Sequence, residues 1–245
     1  MPHSQWCAQL YGLRSQLGVD IMDICFLHIG ENRSLPEIMV RSARLAMRDA
    51  RIVQFTDEST LPVAGVDEVI RRPVSGEELM IARLDHLACF EHREALFLDT
   101  DIIVRRDLRK VFDLPFDVAL TRRYGTLMVV DDDPFRPHFP SGNLIDYMPY
   151  NAGVMFSRTR DFWVDCRKAC ESMHPIFRRW YGDQMALKAV VEGGDYAVVE
   201  LAAHKLNYAP EHAKDWPNDA LILHFKGARK AWMKDYPLAA LSGSG

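Results

Sequence analysis

Two aspartates interrupt an otherwise apolar run, "ALFLDTDIIV", from Ala95 to Val104. The run reads as one buried β-strand. Residues two apart on an extended chain point the same way, so Asp99 and Asp101 share a face. Two like charges on a buried face are costly unless something positive lies between them. A fold for this chain has to bury the run and still bring positive charge to its middle.

The flanking sequence alternates strands and helices. "DICFLHIG" predicts a first strand, near Ile24 to Ile29. A helix follows, opened by Ser34 with Glu37 in a capping-box pattern and carrying Ile38, Met39, Ala43, Ala46 and Met47 at helical spacing. "RIVQF" is a second strand. Ser75 and Glu78 repeat the capping pattern before Met80, Leu84, Leu87 and Ala88. After the acidic run, "FDVAL", "TLMVV", "GVMFS", "YAVVEL" and "ALILHF" predict strands, and "RDFWVDCRKACESM" and "DQMALKAVVEGG" predict helices. Residues 131–149, rich in Pro and Asp, read as a long loop, with Asp131, Asp132 and Asp133 solvated. This order predicts an α/β fold, a mostly parallel central sheet with helices on both faces. Ligands of such sheets gather at the carboxyl ends of the strands, where Asp99 and Asp101 are expected.

The 245 residues suit one large domain, with 48% hydrophobic residues to fill its core. A net charge of −4 without a basic block argues against a nucleic-acid binder. Five cysteines match no zinc or redox spacing; Cys166 and Cys170 read as small buried hydrophobes, and a reducing, cytoplasmic location is expected. The first 20 residues mix Gln, Arg and Ser into their apolar positions, so neither a signal peptide nor a transmembrane segment is expected there.

A pair of carboxylates suits a hard divalent cation, and two ligands rarely suffice. His224, at the end of the apolar run Ala220 to Leu223, is the best third ligand. An imidazole beside two carboxylates tilts the choice toward manganese over magnesium. Gly227 permits a close backbone approach to an anion, Lys230 can place an ammonium on a phosphate oxygen, and Trp232 packs the loop. The bland alternatives are a core histidine, an exposed lysine, and aspartates paired on the surface with Arg105 or Arg106.

Several motifs in order carry a family resemblance. "LFLDTDIIVRRDL", "YNAGVMFS" (Tyr150 to Ser157), "YGDQMALK" (Tyr181 to Lys188), "HFKGARKAW" and the shorter "ARL" (Ala82 to Leu84) cover most of the chain from Asp23 to Trp232. Together they resemble glycosyltransferase family 8, retaining enzymes of the GT-A fold that use nucleotide-sugar donors. The resemblance implies a single GT-A domain, with a nucleotide and metal half over about 20–125 and an acceptor side and C-terminal loop over about 126–235. It implies Asp99, Asp101 and His224 as ligands of Mn2+ or Mg2+. The donor, a UDP-sugar by that likeness, would meet His28, Arg83, Asp99, Thr100, Asn151, Ala152, Gly227 and Lys230. Gln184, Asp183 and Lys230 would carry catalysis, and a glycan or other hydroxyl would be the acceptor. Two departures stand out: Ala231 replaces the Pro usual before the Trp, and "LHIGEN" places His28, Gly30 and Asn32 where relatives face the uridine.

Simpler readings stand beside these. Arg83 can pair with Glu77, Glu78 or Glu91, Asp183 can be a helix N-cap with Gln184 in the first turn, and Asn151 can merely stabilise a turn before Gly153. His3, His86, His92, His138, His174, His204 and His212 receive no role. Segment 204–219 is expected on the acceptor side, with Asn207 its main polar contact. The rival chemistry is a haloacid-dehalogenase-like phosphatase with Asp99 as nucleophile, whose motif normally follows the first strand. A second rival is a sugar or nucleotide binder without catalysis.

Overall fold

The structure is a computed structural model that describes residues 22–90 and 94–243. The N-terminal stretch with His3 and Cys7, and the pair Glu91 and His92, lie outside the described residues. The strands are β1 (Asp23–Leu27), β2 (Arg51–Thr56), β3 (Glu68–Arg71), β4 (Ala95–Leu98), β5 (Ile102–Val104), β6 (Val118–Arg122), β7 (Tyr150–Ser157), β8 (Val198–Leu201) and β9 (Ile222–His224). The main helices are α1 (Ser34–Ala46), α2 (Leu79–Cys89) and α3 (Asp161–Ser172), followed by the single turn α4 (Ile176–Arg179) and the longer α5 (Gly182–Gly193).

Seven strands form the central sheet in the order β3-β2-β1-β4-β7-β6-β8. Only β7 runs against its neighbours, β4 and β6; the other pairs are parallel. Alternation along each strand splits the core into two layers. Ile24, Phe26, Ile52, Leu96, Leu98, Val154 and Phe156 pack on one face with Met39, Val40 and Ala43 of α1. Cys25, Val53, Phe55, Phe97, Leu120 and Met155 pack on the other with α2, α3 and α5. From β1 the chain crosses to β2 on one side and later to β4 on the other, so a crevice opens where β1 and β4 end.

The predicted strand Ala95 to Val104 is not continuous. It breaks at Asp99–Thr100–Asp101 into β4, within the large sheet, and β5, which leaves to pair antiparallel with β9. A continuous strand would drive both acids into one apolar layer; the turn instead delivers them to the sheet's carboxyl edge. "TLMVV" is not a strand either. Met128 makes one isolated bridge to Asn143, and Leu127, Met128 and Val130 are exposed. The long loop contributes Phe139, Leu144 and Met148 to a small separate core completed by Val129 and by Phe177 of α4. The edge strand β3, with charged ends and two apolar residues between, is not apparent in the sequence pattern. Ser34 is the first residue of α1 but not its cap: Arg33 holds that position with no side-chain cap bond, and the Ser34 N–H and hydroxyl donate to Asn32 Oδ1 at 3.2 and 2.8 Å.

Candidate active site

The register of β5 on β9 brings the distant histidine to the acids. Ile102 pairs with His224, and the Phe225 N–H donates to the Asp101 carbonyl at 2.8 Å. The His224 Nε2 then lies 3.1 Å from Asp101 Oδ1 and 3.6 Å from Asp99 Oδ2. One ligand atom from each of these three residues lies within 4.8 Å of the others.

A chain of hydrogen bonds fixes which ring nitrogen faces the acids. The Gly153 N–H donates to Asn151 Oδ1 at 3.0 Å, so that atom is an acceptor. Asn207 Nδ2 donates to the same oxygen at 2.8 Å and to Thr121 Oγ1 at 2.6 Å. Asn207 Oδ1 must therefore accept, and its partner is His224 Nδ1 at 2.8 Å. The ring proton sits on Nδ1, leaving the Nε2 lone pair toward the carboxylates. Complete burial pushes the imidazole below its ordinary pKa, although Asp101 pulls the other way, so the ring is neutral. Three lone-pair donors thus converge at a site that a divalent cation fits.

Gly153 makes this approach possible. A β-carbon there would lie 2.2 Å from His224 Cε1 and 2.8 Å from Asp99 Oδ2. The pairing of β6 with β7 shifts register at Leu120/Thr121, a bulge beside the glycine, and the Asp99 N–H bonds the Gly153 carbonyl at 2.9 Å.

Arg83, on α2, is shared between two acids rather than paired with a neighbour on its own helix. It lies 2.8 Å from Asp99 Oδ1 and 3.0 Å from Asp183 Oδ2, and donates to the Ala152 carbonyl at 2.6 Å. Glu77 and Glu78 face Arg179 and Arg178 instead. Asp183 is no N-cap: Tyr181 holds that position with φ +70°, and Asp183 Oδ1 accepts from the Gln184 N–H at 2.8 Å. A non-glycine residue in the left-handed region at the mouth of a cleft is a mark of functional strain. Burial raises the Asp183 carboxyl, with Arg83 opposing and Asp99 adding to the rise.

The cleft these groups line holds about 400 Å³ and includes Arg83, Asp99, Thr100, Asp101, Asn151, Ala152, Asp183, Gln184, His224, Gly227 and Lys230. Lys230 is half-exposed, with Nζ 3.3 Å from Asp101 Oδ2. His28 does not line the cleft, although its neighbour Leu27 does. Its buried Nε2 has no partner among the described residues. Asn207 is buried behind His224 rather than facing an acceptor. Arg105 and Arg106, the alternative partners for the acids, bond elsewhere.

The sequence pattern assigns no role to two cations of the cleft. Arg123, one residue past β6, donates to the Met148 carbonyl at 2.7 Å, to the Tyr150 carbonyl, and to Gln184 Oε1. Lys226 sits between His224 and Gly227, inside the quoted motif, and lines the cleft.

No protein-family model matches the chain, and no curated protein does. Solved structures do resemble it. The WbbM bifunctional glycosyltransferase superposes over 91% of this chain and 50% of its own, with a TM-score of 0.58 at 13% identity. The glycosyltransferase GlyE of Streptococcus pneumoniae TIGR4 gives 0.56 at 16%, over 91% of this chain and 62% of its own. The galactosyltransferase LgtC, in complex with donor and acceptor sugar analogs, gives 0.51 at 17%, over 91% and 96%. The chain thus spans only half to two-thirds of the first two proteins. The mixed α/β architecture is that of GT-A glycosyltransferases.

Proposed function

We propose that this chain is a metal-dependent glycosyltransferase of family 8, a hexosyltransferase that moves a sugar from a nucleotide diphosphate, UDP by preference, to a glycan hydroxyl. The observation that carries this reading is the convergence of the neutral His224 Nε2 on two carboxylates at the carboxyl edge of a GT-A sheet. Asp99, Asp101 and His224 would hold the ion, and one nitrogen among oxygens favours Mn2+ over Mg2+. When bound, it would neutralise charge on the departing diphosphate.

The protein's own groups have definable tasks. Lys230, beside Asp101, supplies a second positive charge to the leaving group. Asn151, Ala152, Thr100 and Gly227 line the donor's side of the cleft. Both Asp183 oxygens are engaged, by Arg83 and by the Gln184 N–H, and Gln184 Oε1 is engaged by Arg123. An amide is a poor nucleophile, and Asp183 is held by its two partners. This favours a front-face displacement with retention: the bond from the anomeric carbon to the diphosphate breaks, the acceptor oxygen bonds the same face, and its proton passes to a diphosphate oxygen. A sugar trapped covalently on Gln184 or Asp183 would overturn that mechanism.

The phosphatase reading fares less well. The acidic turn follows β4 rather than the first strand, and Asp99 has one oxygen on Arg83 and the other toward His224. Four described cysteines are free thiols, which suits a reducing compartment such as the cytoplasm. No helix among the described residues is long and apolar enough to cross a membrane. A panel of nucleotide-sugars with manganese tests the proposal. Release of one nucleoside diphosphate, abolished by Asp101→Ala and by His224→Ala, is expected. Release of phosphate from an aryl phosphate without nucleotide-sugar turnover would favour the rival.

A further inference from the structure

Two cations of the cleft are left over once its ion pairs are drawn. Lys230 pairs with Asp101, and Arg83 is shared by Asp99 and Asp183. Arg123 and Lys226 line the same cleft, yet neither has a carboxylate within ion-pair distance among the described residues. Arg123 is held by neutral acceptors only, the carbonyls of Met148 and Tyr150 and the Gln184 amide oxygen. Its Nε–H and one Nη2 hydrogen have no partner among the described residues. The Lys226 ammonium likewise donates no hydrogen bond there.

Both are only partly buried and line one cleft. Two cations facing one cleft without carboxylate partners are unfavourable, and a chain tolerates them where a ligand brings the opposite charge. The diphosphate already has its own cation in Lys230. Arg123 instead touches Gln184, the residue assigned to the sugar.

We infer that Arg123 and Lys226 form a second anion site in the cleft, which takes a carboxylate or phosphate carried on a sugar, either the one transferred or the one accepting. A guanidinium with two free hydrogens and an ammonium lining the same cleft match such a group. This rests on the sugar-transfer reading above.

Binding measurements on the full chain test it without needing turnover. Ligand-observed NMR, with magnesium and a nucleoside diphosphate present, compares methyl glucuronides and galacturonides with the matching methyl glucosides and galactosides, and methyl hexosides with sugar 6-phosphates. A second arm compares nucleotide-linked uronic acids with nucleotide-linked hexoses. The acidic members of one arm should bind about tenfold more tightly, and the preference should fall to parity in Lys226→Met and in Arg123→Gln. The arm that shows it identifies donor or acceptor as the source. No preference in either arm, or one that survives Lys226→Met, overturns the inference. So does a Lys226→Met variant that loses affinity for the nucleoside diphosphate itself, since Lys226 would then serve the leaving group. Nucleoside diphosphate release from nucleotide-sugars, scored separately, reports on the sugar-transfer reading alone.

Discussion

Asn207 Oδ1 lies 2.8 Å from His224 Nδ1, and that contact decides which ring nitrogen faces Asp99 and Asp101. The orientation is set from a backbone N–H, that of Gly153, through Asn151 and Asn207 to the ring. Asn207→Ala should leave the three ligand side chains in the chain but free the imidazole to turn. Metal affinity by calorimetry should fall roughly 10–100-fold. Unchanged affinity would show that the ring is held by packing alone.

Gly153→Ala should be more damaging than its size suggests. The added methyl would press on both His224 and Asp99 at distances no side chain accepts. Overpacking of this kind costs on the order of 1–3 kcal/mol. Circular dichroism should show a folded protein of lower Tm, and metal binding should be lost. Full metal affinity in a folded variant would contradict the geometry.

Asp183 should cost stability at neutral pH. Its carboxyl is raised by burial, with Arg83 opposing and the nearby Asp99 charge adding. A carboxyl raised in the folded state contributes favourably below its unfolded pKa, and that contribution is lost as pH rises through the folded pKa. Above that range the native state carries a strained carboxylate. Asp183→Asn leaves Arg83 paired with Asp99 alone, so Tm at pH 7 should rise by a few degrees. The gain should fade as pH falls toward the ordinary carboxylate range, about 4. Turnover should fall despite the stability. A variant less stable than the parent at pH 7 would reverse this sign.

Much of this site was legible because its ligands sit in local motifs at strand ends. "DTD" and "HFKG" each advertise themselves by polar residues closing an apolar run. The break between β4 and β5 was not legible, since an apolar–acid–apolar run fits one strand as well as two, and only the pairing of β5 with β9 decides. "TLMVV" misled because apolar residues count toward a strand by type, while Leu127, Met128 and Val130 are in fact exposed. Asn207 stood out only as an acceptor contact, and neither its support of His224 nor the place of Arg123 was legible, as each acts through a partner 17 and 61 residues away in the chain. Arg123 also follows Arg122, whose surface pairing with Glu200 is the ordinary fate of a strand-end arginine.

The described cysteines should divide cleanly by reactivity. Burial raises the Cys25 and Cys166 thiols strongly and pushes Cys170 up to about 12, whereas Cys89 is exposed. Thiolate is the reacting form, so iodoacetamide at pH 8 should label Cys89 and spare the other three in the native protein. Peptide mass spectrometry reads the result. Rapid labelling of Cys166 or Cys170 would mean that α3 does not pack as described.

In the proposed function every step depends on a cation seated between two acids and one imidazole. Electron paramagnetic resonance of Mn2+ titrated into the protein tests this most directly. The account predicts one bound ion per chain, lost in His224→Ala and in Asp101→Ala while both variants stay folded. A parent that binds no ion in the presence of a nucleoside diphosphate, or a His224→Ala variant that binds as the parent does, would contradict it.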